Sequence, residues 1–432
     1  MTVKPDVVGD GLEGGSGLAG EPAHPADASN PVVANRAHFP GFDGLRAIAA
    51  VAVLFTHVGA AAGSYSSTYW GKFLAHMDAG VAIFFLLSGF LLYRPFVSAH
   101  LADRSAPRLG DFYWRRALRI LPAYWLVLTV TILLFGTVKV HNAGDVFYLY
   151  GFAQIYSRAH LFTGIVQAWS LCVEISFYLF LPLFALAIRA LAIPVARRFR
   201  AELIAVCGLI VIGLGTHALL LWSHSQATPS TLWLPSQLDL FGLGMGLAVI
   251  SVWVERRGAA PRWIDAIGRY PALWWLLAGL TFFVISTQLG LPADTLNITK
   301  RQEMLKQVFY GATGFFLLLP AVFGNQERGR IRWFLRSRVV AWVGLVSYGV
   351  FLWHKDLIEL LAPDNAFGRP VLPSWIPAPH FLSLLVLTLA MTLVAAALSY
   401  YFVERPALRL KRRPPWRRNT GAPVRAADTP AA

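Results

Sequence analysis

Apolar runs long enough to cross a bilayer recur at roughly 43–62, 79–98, 118–136, 168–191, 202–222, 236–254, 271–289, 307–324, 338–361 and 380–403. About 20 apolar residues match a hydrocarbon core about 30 Å thick, and an α-helix there satisfies its own backbone polar groups. The expected fold is therefore all-α, a polytopic transmembrane helical bundle of about ten spans in the cell (plasma or inner) membrane. Composition agrees, since only 14% of the 432 residues are charged, against about 25% in a typical soluble domain.

The net charge of +15 would suggest a nucleic-acid partner in a soluble chain. Here the basic residues mostly flank apolar spans, which the positive-inside rule explains without nucleic acid. With ten spans, one set of loops collects the clusters around Arg108, Arg197, Arg256, Arg269 and Arg330 and the tail "RPALRLKRRPPWRR". The opposite loops hold little beyond Lys72, Lys139, Arg158, Lys300, Arg301, Lys306 and Arg369. An eleventh crossing at "VFYLYGFAQIYS" (146–157) would move every later basic loop to the other side. Both termini are accordingly expected in the cytoplasm, with 137–167 and 362–379 outside and 192–201 and 325–337 inside.

Residues 1–38 form a Gly-, Pro- and Ala-rich stretch expected to be a disordered N-terminal tail without the pattern of a signal peptide. The bundle would occupy 39–410, and 411–432 would be a basic, Pro-rich disordered C-terminal tail, with no soluble domain after the last span. Cys172 and Cys207 lie in apolar stretches and are expected to be buried packing residues rather than a disulfide or a metal site.

Ionisable groups inside spans are costly and usually face a cavity or a polar partner. In "GFDGLRAIAAVAVLFTHVG", Arg46 and His57 are eleven positions apart, roughly 16 Å along a helix. Arg46 is then near one surface and His57 near mid-membrane. Glu174, in "AWSLCVEISFYLF", enters from the other side and lies ~9 Å below that surface, at a depth similar to His57. A histidine with a carboxylate is a common general-base pair, although either residue could equally be a structural clamp.

Ser88, in "FFLLSGFLLY", is either a nucleophile or half of a Ser–Gly packing pair, and "GLGMG" (242–246) reads as small-residue packing within a span. His354 is expected near the outer face with Lys355, Asp356 and Glu359, and Asp239 in the same outer vestibule. On the cytoplasmic side, Arg115, Arg116 and Arg119 place at least two arginines on one helical face, which suits phosphates or simple topological anchoring. Asp43 is expected to cap the first helix or to pair with Arg46.

These segments together resemble the membrane-bound acyltransferase 3 family. Its opening pattern is met by Asp43, Gly44, Leu45, Arg46 and His57, its "FFxLSGF" at 84–90 and its "RRxxRIxPxY" at 115–124. "WSLxVExxFY" is met at 169–178, "SYxxxLWH" at 347–354 and the closing "xERP" at 404–406. The resemblance implies an integral membrane enzyme that transfers acetyl or other short acyl groups from cytoplasmic acyl-coenzyme A, with no metal. The implied acceptors are hydroxyls of carbohydrates, glycolipids or glycosylated molecules. His57 and Glu174 would be catalytic, with Arg46, Arg115, Arg116 and Arg119 holding the donor. Ser88, Asp239, Tyr348 and His354 would bind substrate.

Direct attack by the acceptor with His57 as base and an acyl-His57 relay both remain open. So does help from a separate extracytoplasmic acyltransferase partner, because many members carry a soluble esterase-like domain after the spans. Lys355 and Asp356 follow the late histidine where the family usually has an aromatic or apolar residue. The competing class is a proton-coupled transporter or flippase using the buried His and Glu as a relay. That class favours related halves with broken helices, and the sequence shows no such internal similarity.

Overall fold

The computed structural model describes residues 39–67, 70–135, 138–223, 229–292, 298–362, 381–412 and 414–416. Ten long helices occupy the ten expected spans. They are α1 (Gly41–Ala61), α2 (Ala79–Leu101), α3 (Leu109–Val130), α4 (Trp169–Ala190) and α5 (Val195–Ser223), followed by α6 (Leu238–Arg257), α7 (Pro271–Thr287), α8 (Lys300–Val322), α9 (Arg338–Leu361) and α10 (Phe381–Ser399). No strand occurs among the described residues.

Their ends follow ordinary helix chemistry. Thr299 and Gln302 form a reciprocal capping box at the start of α8, and the Ser337 side chain accepts from the Val340 N–H at the start of α9. Gly258, at φ +69°, ends α6 in a left-handed conformation that costs glycine little. One-turn π segments continue α3 over Thr131–Phe135 and α10 over Tyr400–Glu404.

By length and apolarity eight of the described helices qualify as spans, or nine if the helix Arg262–Arg269 and α7, bent by 77°, form one. Of the expected ten, α7 is only 17 residues long and qualifies only with its bent neighbour. Helix α9 falls short although it is 24 residues long, because it carries His354, Lys355, Asp356 and Glu359 in its final third. Those polar groups dilute its apolar run. The helix nevertheless packs between α1 and α10, in an apolar cluster that includes Leu54, Val350 and Leu384. The segment 146–157 is not a crossing: it holds the short helix Ala143–Tyr150 and one turn at Gln154–Tyr156.

Small residues set the closest contacts, as expected where lipid supplies little hydrophobic drive between helices. A Cβ on Gly344 of α9 would lie 1.9 Å from the Asp43 carbonyl oxygen of α1. On α2 and α6, Gly89 meets the Phe241 backbone and Gly244 meets the Leu86 backbone. In the Ser88–Gly89 pair the glycine supplies the expected close packing, while the serine hydroxyl donates to Glu174. The "GLGMG" run is packing surface, as its sequence suggested.

The N-terminal tail, residue 413 and residues 417–432 lie outside the described residues, as does the segment 363–380, most of the loop expected outside. The described part of the C-terminal stretch packs on α3, where Trp416 meets Trp114 at 5.9 Å between ring centroids. Cys172 is buried, but Cys207 is exposed on the bundle's surface, a correction to the expectation that both are buried. An apolar position on a helix facing lipid and one facing the core have similar neighbours in sequence.

Candidate active site

Helical spacing brings one face of each of five helices to a common cavity. Arg46 of α1, Phe84 and Ser88 of α2, Arg116 and Arg119 of α3, Glu174 and Tyr178 of α4, and Tyr348 and Phe351 of α9 all line it. Within each helix these residues are three or four apart, the separation that stacks side chains on one face. The cavity is open-sided, with a volume of ≈ 780 Å³ that includes the solvent at its mouth.

Three guanidinium groups and one carboxylate dominate its polar lining. Arg46 pairs with Asp43 at 3.3 Å, the pairing anticipated for Asp43. The Arg116 guanidinium lies 6.0 Å from the centre of the Tyr178 ring, and that of Arg119 lies 5.9 Å from the Tyr348 ring. Tyr348 in turn donates its hydroxyl hydrogen to the Ile120 carbonyl at 2.9 Å. Arg119 Nη1 is also 3.5 Å from Glu404 Oε2, whose carboxylate is almost completely buried. Arg116 Nε–H is buried and has no hydrogen-bond partner. Forked donors clustered in this way, one of them unsatisfied, suit an anionic ligand such as a phosphate.

On the opposite wall the Ser88 hydroxyl donates to the Glu174 carboxylate. Glu174 thus shares the cavity with the three arginines. No hydrogen bond joins it to His57, which does not line the cavity. The expectation of similar depth rested on helix positions alone, and depth leaves the direction each side chain faces undetermined.

His57 instead meets His354 of α9. His354 Nε2 is 3.0 Å from His57 Nδ1, and the ring centroids are 5.0 Å apart. His57 Nδ1 is also 2.9 Å from the Val53 carbonyl, and His354 Nδ1 is 3.0 Å from that of Val350. His354 is 0% exposed, whereas His57 keeps part of its surface open. His354 is thus a buried partner of His57 rather than part of an open vestibule. Two aromatic rings connect the histidines with the cavity, since Phe351 contacts both Phe84 and His354 at 5.9 Å between centroids.

Of the remaining expected site residues, Arg115 is absent from the cavity lining. Asp239 is buried on α6, where Gln307 donates to it at 3.0 Å. It does not share a vestibule with His354; Lys355 pairs with Glu359 at 3.1 Å, and Asp356 accepts from Thr131 at 2.7 Å.

The sequence reading missed Asp78, in the turn before α2, which accepts from Tyr310 and pairs with Lys306 at 3.0 Å. Asp78 and Lys355 are the charged groups acting on His57. It missed Glu404 as well, although the closing "xERP" pattern contains it. Among the described residues no group of three or more His, Cys, Asp or Glu side chains could hold a metal ion.

Residues 39–398 match the acyltransferase 3 family model, described as an acyltransferase domain. The chain is 27% identical over 385 residues to the Bacillus subtilis protein named "Putative peptidoglycan O-acetyltransferase YrhL", covering 85% of this chain and 55% of that protein. It is 25% identical over 397 residues to the peptidoglycan O-acetyltransferase OatA of Listeria monocytogenes, covering 86% and 56%. A Staphylococcus aureus protein, "Putative O-acetyltransferase SACOL0978", is 25% identical over 393 residues, covering 85% and 57%. The chain thus spans a little over half the length of these curated relatives, and no solved structure matches it. With its helical membrane bundle and the motifs that meet in one arginine-lined cavity, this chain belongs to the acyltransferase 3 family.

Proposed function

We propose that this protein is an integral membrane O-acyltransferase that moves an acetyl or other short acyl group from acyl-coenzyme A to a hydroxyl of a carbohydrate acceptor. The observation that carries the reading is the cavity. Arg46, Arg116 and Arg119 converge there, and the buried Arg116 Nε–H lacks a partner. Coenzyme A is rich in phosphate, and its phosphates would be held by these arginines. The positive-inside rule favours the cytoplasmic side for that mouth, given Arg46 and the basic loops, and acyl-coenzyme A is available there. The names of the relatives favour acetyl as the acyl group and a glycan such as peptidoglycan as the acceptor.

The reaction needs a base for the acceptor hydroxyl, and the partly exposed His57, linked to the cavity wall through His354 and Phe351, is the candidate. His57 takes the hydroxyl proton, the hydroxyl oxygen bonds to the thioester carbonyl carbon, and the carbon–sulfur bond breaks. The coenzyme A thiolate then recovers the proton from the imidazolium. Glu174, held by Ser88 among the arginines, contributes to the field around the donor rather than to His57 directly.

Incubating membranes that contain the chain with acetyl-coenzyme A labelled in its acetyl group tests the reading. Base-labile label should appear on membrane carbohydrate with the parent chain and disappear with His57→Ala. Absence of coenzyme A-dependent labelling in the parent overturns the enzyme assignment. Full labelling by His57→Ala overturns the role of the base.

A further inference from the structure

We propose that His354 is a positioning residue that dictates which nitrogen of His57 carries the proton. This rests on His57 acting as the base. A carbonyl oxygen can only accept a hydrogen bond, and the Val53 and Val350 carbonyls face the Nδ1 atoms of His57 and His354. Both Nδ1 atoms therefore carry hydrogen. His354 Nε2, 3.0 Å from His57 Nδ1, must then be a bare lone pair, because a second N–H there would point at the first.

One consistent proton arrangement results. His57 Nδ1–H is shared between the Val53 carbonyl and His354 Nε2, a three-centre bond. With Nδ1 occupied, the lone pair of neutral His57 is at Nε2, where it can take a proton.

The arrangement also defines what happens on proton transfer. When His57 accepts the acceptor's proton at Nε2, its Nδ1–H becomes the donor of a charged imidazolium, and the bond to His354 strengthens. His354 thus fills the orienting place that a carboxylate fills beside many catalytic histidines, but as a neutral group. Its complete burial suits that task and argues against contact with substrate. The charged groups facing the pair are Lys355 from α9 and Asp78 from the turn before α2. Asp78 is itself held by Lys306 and Tyr310 of α8.

The test has two arms on the full-length protein in lipid nanodiscs. In the first, nitrogen-15 spectra of ring-labelled histidine, assigned by difference with His57→Ala and His354→Gln, should show both neutral imidazoles protonated at Nδ1. An Nε2–H tautomer at either residue overturns the inference in the parent protein, with no folding change involved.

In the second arm, acetyl transfer from labelled acetyl-coenzyme A to membrane carbohydrate is followed against pH. His354→Phe removes the acceptor of the Nδ1–H bond. It should lower kcat by about 10- to 100-fold, the range for a hydrogen bond to a charged group. The acid limb of the profile should shift to lower pH, with KM for acetyl-coenzyme A unchanged. His354→Gln, whose Oε1 can accept the same bond, should recover most of the loss. A parent-like rate and acid limb in His354→Phe, or no recovery in His354→Gln, overturns the inference. If His57→Ala is inactive while His354→Phe matches the parent, only this inference fails; an active His57→Ala removes the base reading beneath it.

Discussion

The rings of Phe84 and Phe351 meet edge to face, with centroids 5.9 Å apart, at the wall of the arginine cavity nearest the histidines. Phe351 also touches His354. Helices α2 and α9 thus close an aromatic layer between the proposed donor site and the proposed base. An acyl group delivered from one to the other has to pass this layer or reach around it, and the same layer would shield the thioester from water on that side.

Phe351→Leu therefore should uncouple the two sides. Acetyl-coenzyme A hydrolysis in the absence of acceptor is expected to rise several-fold, on the order of the loss of one water-excluding contact. A thiol reagent that reports free coenzyme A measures it. Leucine keeps most of the apolar volume, so melting should change less than the about 3–5 kcal/mol that Phe→Ala costs in a core.

Arg116→Gln and Arg119→Gln should each weaken acetyl-coenzyme A binding by about 10- to 100-fold, as expected for losing one charge-assisted contact. Equilibrium binding to protein in nanodiscs measures this, and the parent's affinity should fall as salt rises. Arg115→Gln, whose side chain is not in the cavity lining, should bind like the parent. Equal losses in all three variants would reduce the arginines to general surface charge.

Glu174→Gln separates binding from chemistry. Removing this carboxylate makes the cavity around the three arginines more positive, so acetyl-coenzyme A should bind at least as tightly as before. Transfer should nevertheless drop, because Ser88 loses its ionised acceptor and the field around the thioester changes. Tighter binding with slower turnover is the expected pattern in paired binding and rate measurements.

Gly344→Ala tests the contact of α1 with α9. Its added carbon would sit 1.9 Å from the Asp43 carbonyl, which belongs to backbone and cannot rotate away. Overpacking of this kind costs about 1–3 kcal/mol, readable as a lower melting temperature in detergent. Acetyl-coenzyme A binding should weaken with it, because Asp43 is the residue that holds Arg46.

The short helix Ala143–Tyr150, outside the membrane spans, supplies a pH dependence. The hydrogen bond from His160, joined by the His141 and Asn142 N–H groups, holds the Asp145 carboxyl below its ordinary 3.8. A lowered carboxyl contributes stability above its unfolded value and loses it as pH falls through the folded value. Asp145→Asn should therefore loosen the 143–160 segment at neutral pH. The difference from the parent should begin to shrink as pH drops below about 3.8 and vanish once it has passed the lower folded value. Hydrogen exchange, corrected for its intrinsic pH dependence, follows both proteins.

Sequence revealed the helices and much of the cavity for definite reasons. Apolar runs report where helices lie, and spacings of three or four residues report which side chains share a face. Arg116 with Arg119, and Ser88 with Phe84, were legible in that way. What the pattern does not encode is the rotation of one helix against another. Glu174 thus seemed a partner for His57 but faces Ser88, and His354 seemed a surface residue but lies under His57. Contacts between distant segments were hidden for the same reason. Asp78 finds Lys306 and Arg119 finds Glu404 only once the bundle is assembled.

Arg46 and His57 stand on a single unbroken helix, α1, and that fixes their separation more rigidly than any loop could. A helix of this length is a ruler, with its two marks roughly 16 Å apart. A donor gripped by its phosphates at the first mark has to span the interval with its own flexible arm. The carbonyl then arrives at the second mark only if the arm is extended and the acyl tail beyond it is short. Chain-length preference would in that case be set by the spacing of two residues in one turn-by-turn register, and moving Arg46 by a single helical turn would re-tune it.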